Sequence, residues 1–395
     1  MSTPQWIIVG AGFTGAVLAE RIASQLGQSV LVIDRRDHIG GNAYDYKGPY
    51  GILVHKYGPH IFHTNSKKIW DYLSRFTEWR PYFHHVVGHV DGCYTPIPFN
   101  LNTLADLFPR QMADQLSQVL IDTYGYGKKV PILKMREEAS EQLRFLADYV
   151  YQKVFENYTI KQWSLRPEQL DPSVSARVPI HISRDNRYFQ DIYQAMPADG
   201  YSAMFERILA HENIAVETST DFDSVRGLYP DAKVVFTGPI DEYFDFAHGA
   251  LPYRSIRFRM FERDEAHVLP VGTVNYPNEF DFTRITEFKH LTGQSAPGSV
   301  LIEEYPEAYV PGRNEPYYPI PTDDTASALR PYQQMAQELR GKVWFAGRLG
   351  DYAYYNMDQA CGRALALFEK QLSQARPPET AQNEAGERKN MAVSL

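Results

Sequence analysis

The residues best placed to do chemistry stand near the start of the chain. Gly10, Gly12 and Gly15, in the run Gly10-Ala11-Gly12-Phe13-Thr14-Gly15, follow the apolar stretch Gln5 to Val9 and open an amphipathic stretch from about Phe13 to Leu26. Strand, glycine loop and helix in that order are what a dinucleotide site needs. Gly10 permits the tight turn, Gly12 lets the backbone approach a pyrophosphate, and Gly15 lets helix and strand pack closely. The helix start then turns its partial positive charge to the phosphates. Asp34 ends the next apolar run, Ser29 to Ile33, where a carboxylate can bind a ribose hydroxyl. Further along, Arg284 lies in Phe282-Thr283-Arg284-Ile285-Thr286-Glu287-Phe288. Read as a strand, this run puts a guanidinium on the same face as Phe282 and Phe288, so an anion or carboxylate is expected opposite it. Arg177 sits among the small residues Ser173 to Ala176, a stretch suited to a mobile loop. His60 and His63 have a His-x-x-His spacing, but no cysteine or acidic residue stands near them in sequence, which disfavours a metal. No nucleophile motif accompanies these residues.

Several elements must position them. Gln5–Val9, the helix Phe13–Leu26 and Ser29–Ile33 form a βαβ opening. Lys233–Phe236 and Lys342–Ala346 read as two more buried strands, the second leading into a helix from about Asn356 to Gln371. Nucleotide-domain material thus appears at the start, middle and end of the chain, and insertions fill the gaps. The first insertion is helical: Leu143, Leu146, Ala147, Val150, Tyr151, Val154, Phe155 and Tyr158 follow in three- and four-residue steps. The second is strand-like, with Ile256, Phe258 and Met260 alternating with Ser255, Arg257 and Arg259. Prolines mark Tyr94 to Pro98 and Pro306 to Pro321 as loops, and the polar tail after about Ala375 is expected to be disordered. No internal repeat is present.

Composition narrows the function classes. A chain of 395 residues implies two or three domains. A net charge of -8 argues against nucleic acid and anionic membranes as partners, though not against a small anion held by a few arginines. Cys93 and Cys361 are the only cysteines, which fits a reducing compartment. No apolar run approaches the roughly 20 residues of a membrane span, and no signal peptide opens the chain. A cytoplasmic protein without membrane insertion is the expectation. The 27 tyrosines are mostly core residues, yet their flat faces and polar tips also suit sugar and nucleotide sites.

Past Asp34 the chain reads Arg35-Arg36-Asp37-His38-Ile39-Gly40-Gly41-Asn42-Ala43, which resembles the glutathione-reductase-like flavoproteins. Val343-Trp344-Phe345-Ala346-Gly347-Arg348 is similar to their late strand, so FAD fits better than a nicotinamide. A narrower resemblance follows. Gly58-Pro59-His60-Ile61-Phe62-His63-Thr64, Tyr158-Thr159-Ile160-Lys161-Gln162-Trp163, and Phe236-Thr237-Gly238-Pro239-Ile240-Asp241 look like the UDP-galactopyranose mutase family. So do Glu315-Pro316-Tyr317-Tyr318-Pro319 and Gly347-Arg348-Leu349-Gly350-Asp351-Tyr352. These five segments are spread from end to end in the family's order, so the resemblance covers about the whole chain except its tail.

The resemblance implies interconversion of UDP-galactopyranose and UDP-galactofuranose by reduced FAD. In this family the flavin N5 displaces UDP to form a covalent sugar adduct, with no net redox change. The protein then supplies position and anion stabilisation rather than a catalytic triad. It further implies catalytic roles for Arg177, Arg284, His60 and His63. Substrate contacts are expected from Tyr158, Trp163, Arg177, Tyr188, Asn275, Arg284, Tyr318 and Tyr354. Tyr317 and Tyr355 adjoin the last two, and the sequence leaves open which of each pair faces the substrate. Without the resemblance, Tyr158 and Trp163 read as packing residues. Cofactor contacts would come from Gly10, Ala11, Gly12, Phe13, Thr14, Gly15, Asp34, Arg35, Gly41, Asn42, His60, Ile61, Gly347, Arg348, Asn356, Met357 and Asp358. Asn356 replaces an Asp of many relatives, and Asp34 a commoner Glu.

The implied fold is α/β: a Rossmann-like, glutathione-reductase-like FAD-binding domain with an inserted helical domain and an antiparallel β-sheet domain. The first spans 1–80, 198–246 and 326–375, the second 101–165, and the third 81–100, 166–197 and 247–325, with a disordered tail at 376–395. NAD(P)H or another reductant and a homodimer are further implied. The rival readings are an amine-oxidase-type flavin oxidoreductase and a non-catalytic dinucleotide sensor.

Overall fold

A computed structural model describes residues 3–138, 140–171 and 179–373. At its centre a five-stranded, all-parallel sheet runs in the order Ile214–Glu217, Val30–Ile33, Trp6–Val9, Lys233–Phe236, Val343–Phe345. Trp6–Val9 pairs with Val30–Ile33 on one side and Lys233–Phe236 on the other, Val9 lying opposite both Ile33 and Phe236. The chain therefore leaves Val9 at the point where strand order reverses, and in such sheets the crevice there takes the ligand. Gly10 follows Val9 directly. The helix Phe13–Leu26 has the bounds its periodicity predicts and stops at Gly27, whose φ of 64° suits a glycine cap. The last helix begins at Met357 with Asn356 as its N-cap, and continues through a wide turn at Phe368–Leu372.

The helical insertion comprises Leu101–Leu107, Arg110–Tyr124, Ile132–Met135, Glu141–Val150 and Asn157–Trp163, the last two joined by a π turn over Tyr151–Glu156. The expected stripe from Leu143 to Phe155 is buried in one cluster with Leu104, Leu116 and Ile180. Tyr158 departs from it. The extra residue in the π turn rotates the face that follows, and Tyr158 and Trp163 both reach a cavity.

A seven-stranded sheet forms the third part, in the order Tyr318–Pro319, Tyr253–Arg263, Ser299–Ala308, Arg284–Glu287, Thr273–Asn275, Val86–Val90, Cys93–Ile97. It is antiparallel except that Thr273–Asn275 runs parallel to Val86–Val90, which the long connection between them allows. Two loop expectations fail here. Tyr94 to Ile97 belongs to a strand, whose Pro96 is tolerated because the strand lies at the sheet edge. Pro306 lies inside Ser299–Ala308, opposite Ile256 but beyond the last residue paired with Arg284–Glu287, so no ladder bond is lost on that side. Tyr318–Pro319 is a short strand as well, not loop. Tyr193–Pro197 sits apart from this sheet and pairs with Phe62–Thr64 and Trp79–Pro81. Arg177 and the tail beyond Ser373 lie outside the described residues. Among those described, no helix is long and apolar enough to cross a membrane.

Candidate active site

Two cavities share part of their walls. The smaller, about 240 Å³, is floored by the glycine loop. Gly10 has φ +101°, and a Cβ there would lie 2.1 Å from Thr237 Oγ1. A Cβ on Gly15 would lie 1.9 Å from the Gly10 carbonyl, and one on Gly41 (φ +57°) 2.9 Å from Gly12 Cα. The two glycine segments thus touch backbone to backbone, a cradle that side chains would fill. Asp34 Oδ2 accepts the Ala11 amide at 2.8 Å and Oδ1 the Arg36 amide at 2.9 Å. Its carboxylate therefore fixes the loop while still lining the cavity, and each oxygen keeps a lone pair for a ribose hydroxyl. Phe13, Thr14, Arg35, Asn42, Gly347, Asn356 and Met357 line the same space. Of the other expected cofactor residues, Ala11 and Gly15 act through backbone and packing, and Ile61 lines the larger cavity. Asp358 accepts the Thr64 hydroxyl at 3.0 Å instead of facing either space.

The larger cavity, about 490 Å³, shares His60, Arg348, Asn356 and Met357 with the first. Arg348 donates to the carbonyls of Tyr317 and Tyr355, at 3.3 Å and 2.6 Å, and its guanidinium lies 5.1 Å and 5.7 Å from the Tyr318 and Tyr354 rings. Trp163 packs on both tyrosines, with centroids 6.1 Å and 5.6 Å away. Tyr318 and Tyr354 line the larger cavity, while Tyr317 and Tyr355 line the glycine-lined one.

Arg284 is the first residue of its strand, opposite Glu304 in register, and its Nε donates to Glu304 Oε1 at 2.7 Å. The expected carboxylate is therefore present, but the flanks differ from expectation. Phe282 precedes the strand and Phe288 starts a helix, because the strand is only Arg284–Glu287. Burial works against the guanidinium's charge, yet Glu304, Tyr158 and Tyr318 together outweigh it and hold the group firmly protonated. Burial also pushes the Tyr318 hydroxyl up to about 12 and Tyr158 above its ordinary value, so both remain hydrogen-bond donors at neutral pH. Asn275 Oδ1 is buried at the cavity and has no partner among the described residues. Tyr188 completes the set, edge-on to His84 and Phe189.

The histidines divide by burial. His60 donates its Nδ1–H to the Gly58 carbonyl at 2.9 Å, and its amide donates to His55 Nδ1 at 3.0 Å. Burial lowers His55, His60 and His84 to about 3, so all three are neutral. His63 corrects the sequence reading, since it has an acidic partner: Asp191, remote in sequence, lies 2.9 Å from its Nδ1. Asp191, Glu304, His84, Lys129 and Phe189 all line the cavity and escaped the sequence reading. Only Glu304 left a usable signal, as an acidic residue in a strand that could face Arg284. The one cluster of metal-type groups among the described residues is His267, Glu287 and His290. Its Glu287 already accepts two backbone amides and the Ser299 hydroxyl.

Residues 153–354 match the family described as UDP-galactopyranose mutase, and residues 8–76 match one described as NAD(P)-binding Rossmann-like domain. A Klebsiella pneumoniae protein named "Probable UDP-galactopyranose mutase" is 37% identical over 378 residues, covering 94% of this chain and 96% of its own. The dTDP-fucopyranose mutase of Escherichia coli is 32% identical, over 91% of this chain and 96% of its own. A solved structure of reduced UDP-galactopyranose mutase superposes with a TM-score of 0.68 at 16% identity, covering 95% of this chain and 97% of that one, which shows the shared fold. The chain belongs to the UDP-galactopyranose mutase family.

Proposed function

We propose that the protein interconverts UDP-galactopyranose and UDP-galactofuranose, with FAD in its reduced form and no net redox change. The observation that carries this reading is the shared wall: a glycine-lined dinucleotide cradle opens, at His60, Arg348, Asn356 and Met357, onto an aromatic chamber holding Arg284. The glycine contacts fit FAD, because the cradle is bare backbone where a pyrophosphate must approach. When bound and reduced, the flavin supplies a nucleophilic nitrogen for the anomeric carbon.

The chain's own residues do the rest. Tyr158 and Trp163 offer flat faces to a uracil, with stacking worth about 1–3 kcal/mol. Arg284, with Arg177 after the small residues Ser173 to Ala176, would take the diphosphate oxygens through planar forks. The protonated Tyr318 hydroxyl, Tyr188, Tyr354 and Asn275 would orient phosphate and sugar. A volume near 490 Å³ lies within the usual range for a small-ligand site. An amine oxidase would hold a cationic or apolar substrate, and the guanidinium groups of Arg284 and Arg348 oppose the first. A dinucleotide sensor would not need a second chamber of this size.

On the same reading, segments 1–80, 198–246 and 326–375 bind the cofactor and the two insertions build the substrate side. NAD(P)H or another reductant, a homodimer and a cytoplasmic location belong to the proposal too. Cys93 and Cys361 are both free thiols, in keeping with a reducing compartment. The test is chromatography of UDP-galactofuranose incubated with dithionite-reduced protein. Conversion to UDP-galactopyranose is expected, with none by the oxidised form. Stoichiometric hydrogen peroxide from an amine, without sugar turnover, would overturn the reading.

A further inference from the structure

We propose that Asp191 is the positioning residue for His63, holding its ring in the one tautomer that offers a proton-accepting nitrogen to the sugar. This rests on the mutase reading above. His63 is the middle residue of the strand Phe62–Thr64, whose Phe62 and Thr64 are buried, so alternation turns the imidazole to the cavity side. The ring stacks on Phe189, with centroids 3.6 Å apart and planes 14° apart, which fixes its plane. Its Nδ1 lies 2.9 Å from Asp191 Oδ2, and Asn65 Nδ2 donates to Asp191 Oδ1 at 2.7 Å. Asn65 is anchored in turn by the Ile192 amide, which donates to its Oδ1 at 2.9 Å. Both oxygens of the carboxylate are therefore placed.

The hydrogen bond from His63 holds the Asp191 carboxyl below its usual range, so it is an anion and can only accept. The proton of the shared hydrogen bond must then sit on His63 Nδ1, which leaves Nε2 as the ring atom that can take and return a proton. Among the described histidines lining the cavity, His60, His84 and His181 lack a carboxylate partner of this kind. Among them His63 alone joins a cavity position to a tautomer fixed by a carboxylate.

A change of ring size moves one proton out and one proton back. The hydroxyl that becomes the ring oxygen loses its proton, and the former ring oxygen gains one as a hydroxyl. His63 Nε2 takes the first proton and returns it, and the imidazolium formed in between is opposed by Asp191. No further reactant is required. Asp191 touches no substrate itself and acts only through the ring.

The experiment compares FAD-loaded wild-type protein with Asp191→Asn, Asp191→Glu, His63→Gln and the His63→Gln/Asp191→Asn double variant. Side-chain ¹⁵N–¹H correlation spectra should show His63 protonated on Nδ1 in the wild type, switched to Nε2 by Asp191→Asn and restored by Asp191→Glu. On UDP-galactofuranose, kcat of Asp191→Asn should fall about tenfold or more, with KM within about threefold and FAD content unchanged. In the His63→Gln background the Asn substitution should cost less than about twofold. A wild-type spectrum with the proton on Nε2, an unchanged kcat in Asp191→Asn, or an equal loss in both backgrounds would overturn the proposal. If wild-type protein converts no UDP-galactofuranose, the mutase reading fails, while the spectra still decide the pairing.

Discussion

Arg284 shows how much a single residue carries and how much of it the sequence discloses. Its apolar flanks led to the expectation of an anion or carboxylate opposite, and Glu304 meets that expectation at 2.7 Å. The flanks themselves were misread, since the strand is only four residues long. The register partner was legible only in principle, because pairing Arg284 with Glu304 requires knowing which strands adjoin. His63 illustrates the limit: its partner Asp191 is brought in by strand pairing between Phe62–Thr64 and Tyr193–Pro197, which no local pattern announces. Glu304 takes the Nε edge of the guanidinium, and on the proposed reading its other donors grip a diphosphate as a fork. Arg284→Ala should therefore lower kcat by about 10²–10³ while FAD stays bound, the size of loss seen when one anion-stabilising donor is removed. Arg284→Lys should recover only part of it, because an ammonium keeps the charge and loses the planar fork. Arg177→Ala should likewise cost orders of magnitude. Steady-state rates and flavin absorbance on the same preparations check all three, and near-wild-type rates in both alanine variants would remove the diphosphate assignment.

The elements around the glycine loop were the most legible part of the chain, for a physical reason. Buried parallel strands read as short apolar runs, and the helix Phe13–Leu26 is bounded by the glycine loop and Gly27 and buried on all sides from Phe13 to Glu20, so Trp6–Val9, Val30–Ile33 and Lys233–Phe236 could be placed to within a residue. The edge and end strands were less legible. Prolines at 96 and 306 looked like loop signals, yet each sits where a strand has a partner on one side only. The π turn at Tyr151–Glu156 was invisible, because a single extra residue in a helix leaves the apolar pattern nearly intact and changes only the face that follows. The loop's glycines also permit a quantitative expectation. A methyl group on Gly15 would stand 1.9 Å from the Gly10 carbonyl and 3.1 Å from the Ile8 side chain, so the helix must move off the strand. Gly15→Ala should lower the melting temperature by several degrees, an overpacking cost of about 1–3 kcal/mol. It should also weaken FAD retention on gel filtration by tenfold or more, since Gly12 and Gly41 would lose their mutual approach. Full flavin occupancy with unchanged melting would show that the contact at Gly15 is dispensable.

Across the whole molecule, the buried neutral histidines tie the site to acid stability. His55 packs on Phe288, at the start of the helix that follows the strand Arg284–Glu287, and His60 and His84 share the cavity with Arg284. Burial lowers each to about 3, against an ordinary value of 6.5. Between those two values the unfolded chain binds protons that the folded chain refuses, so stability is greatest above pH 6.5 and declines as pH falls. Each such group contributes a slope of about 1.4 kcal/mol per pH unit once well below its unfolded pKa. Three together set an upper bound of about 4 kcal/mol per unit, a large part of an ordinary folding stability of about 5–15 kcal/mol. Chemical denaturation at steps between pH 7.5 and 5 should show this decline, steepening below pH 6. His84→Gln should reduce the slope by up to about a third, because it deletes one refused proton while an amide can still meet Tyr82, whose hydroxyl lies 3.1 Å from the imidazole. A slope unchanged by that substitution would mean that His84 takes up its proton in the folded state, and that the cavity at neutral pH is more cationic than its burial implies.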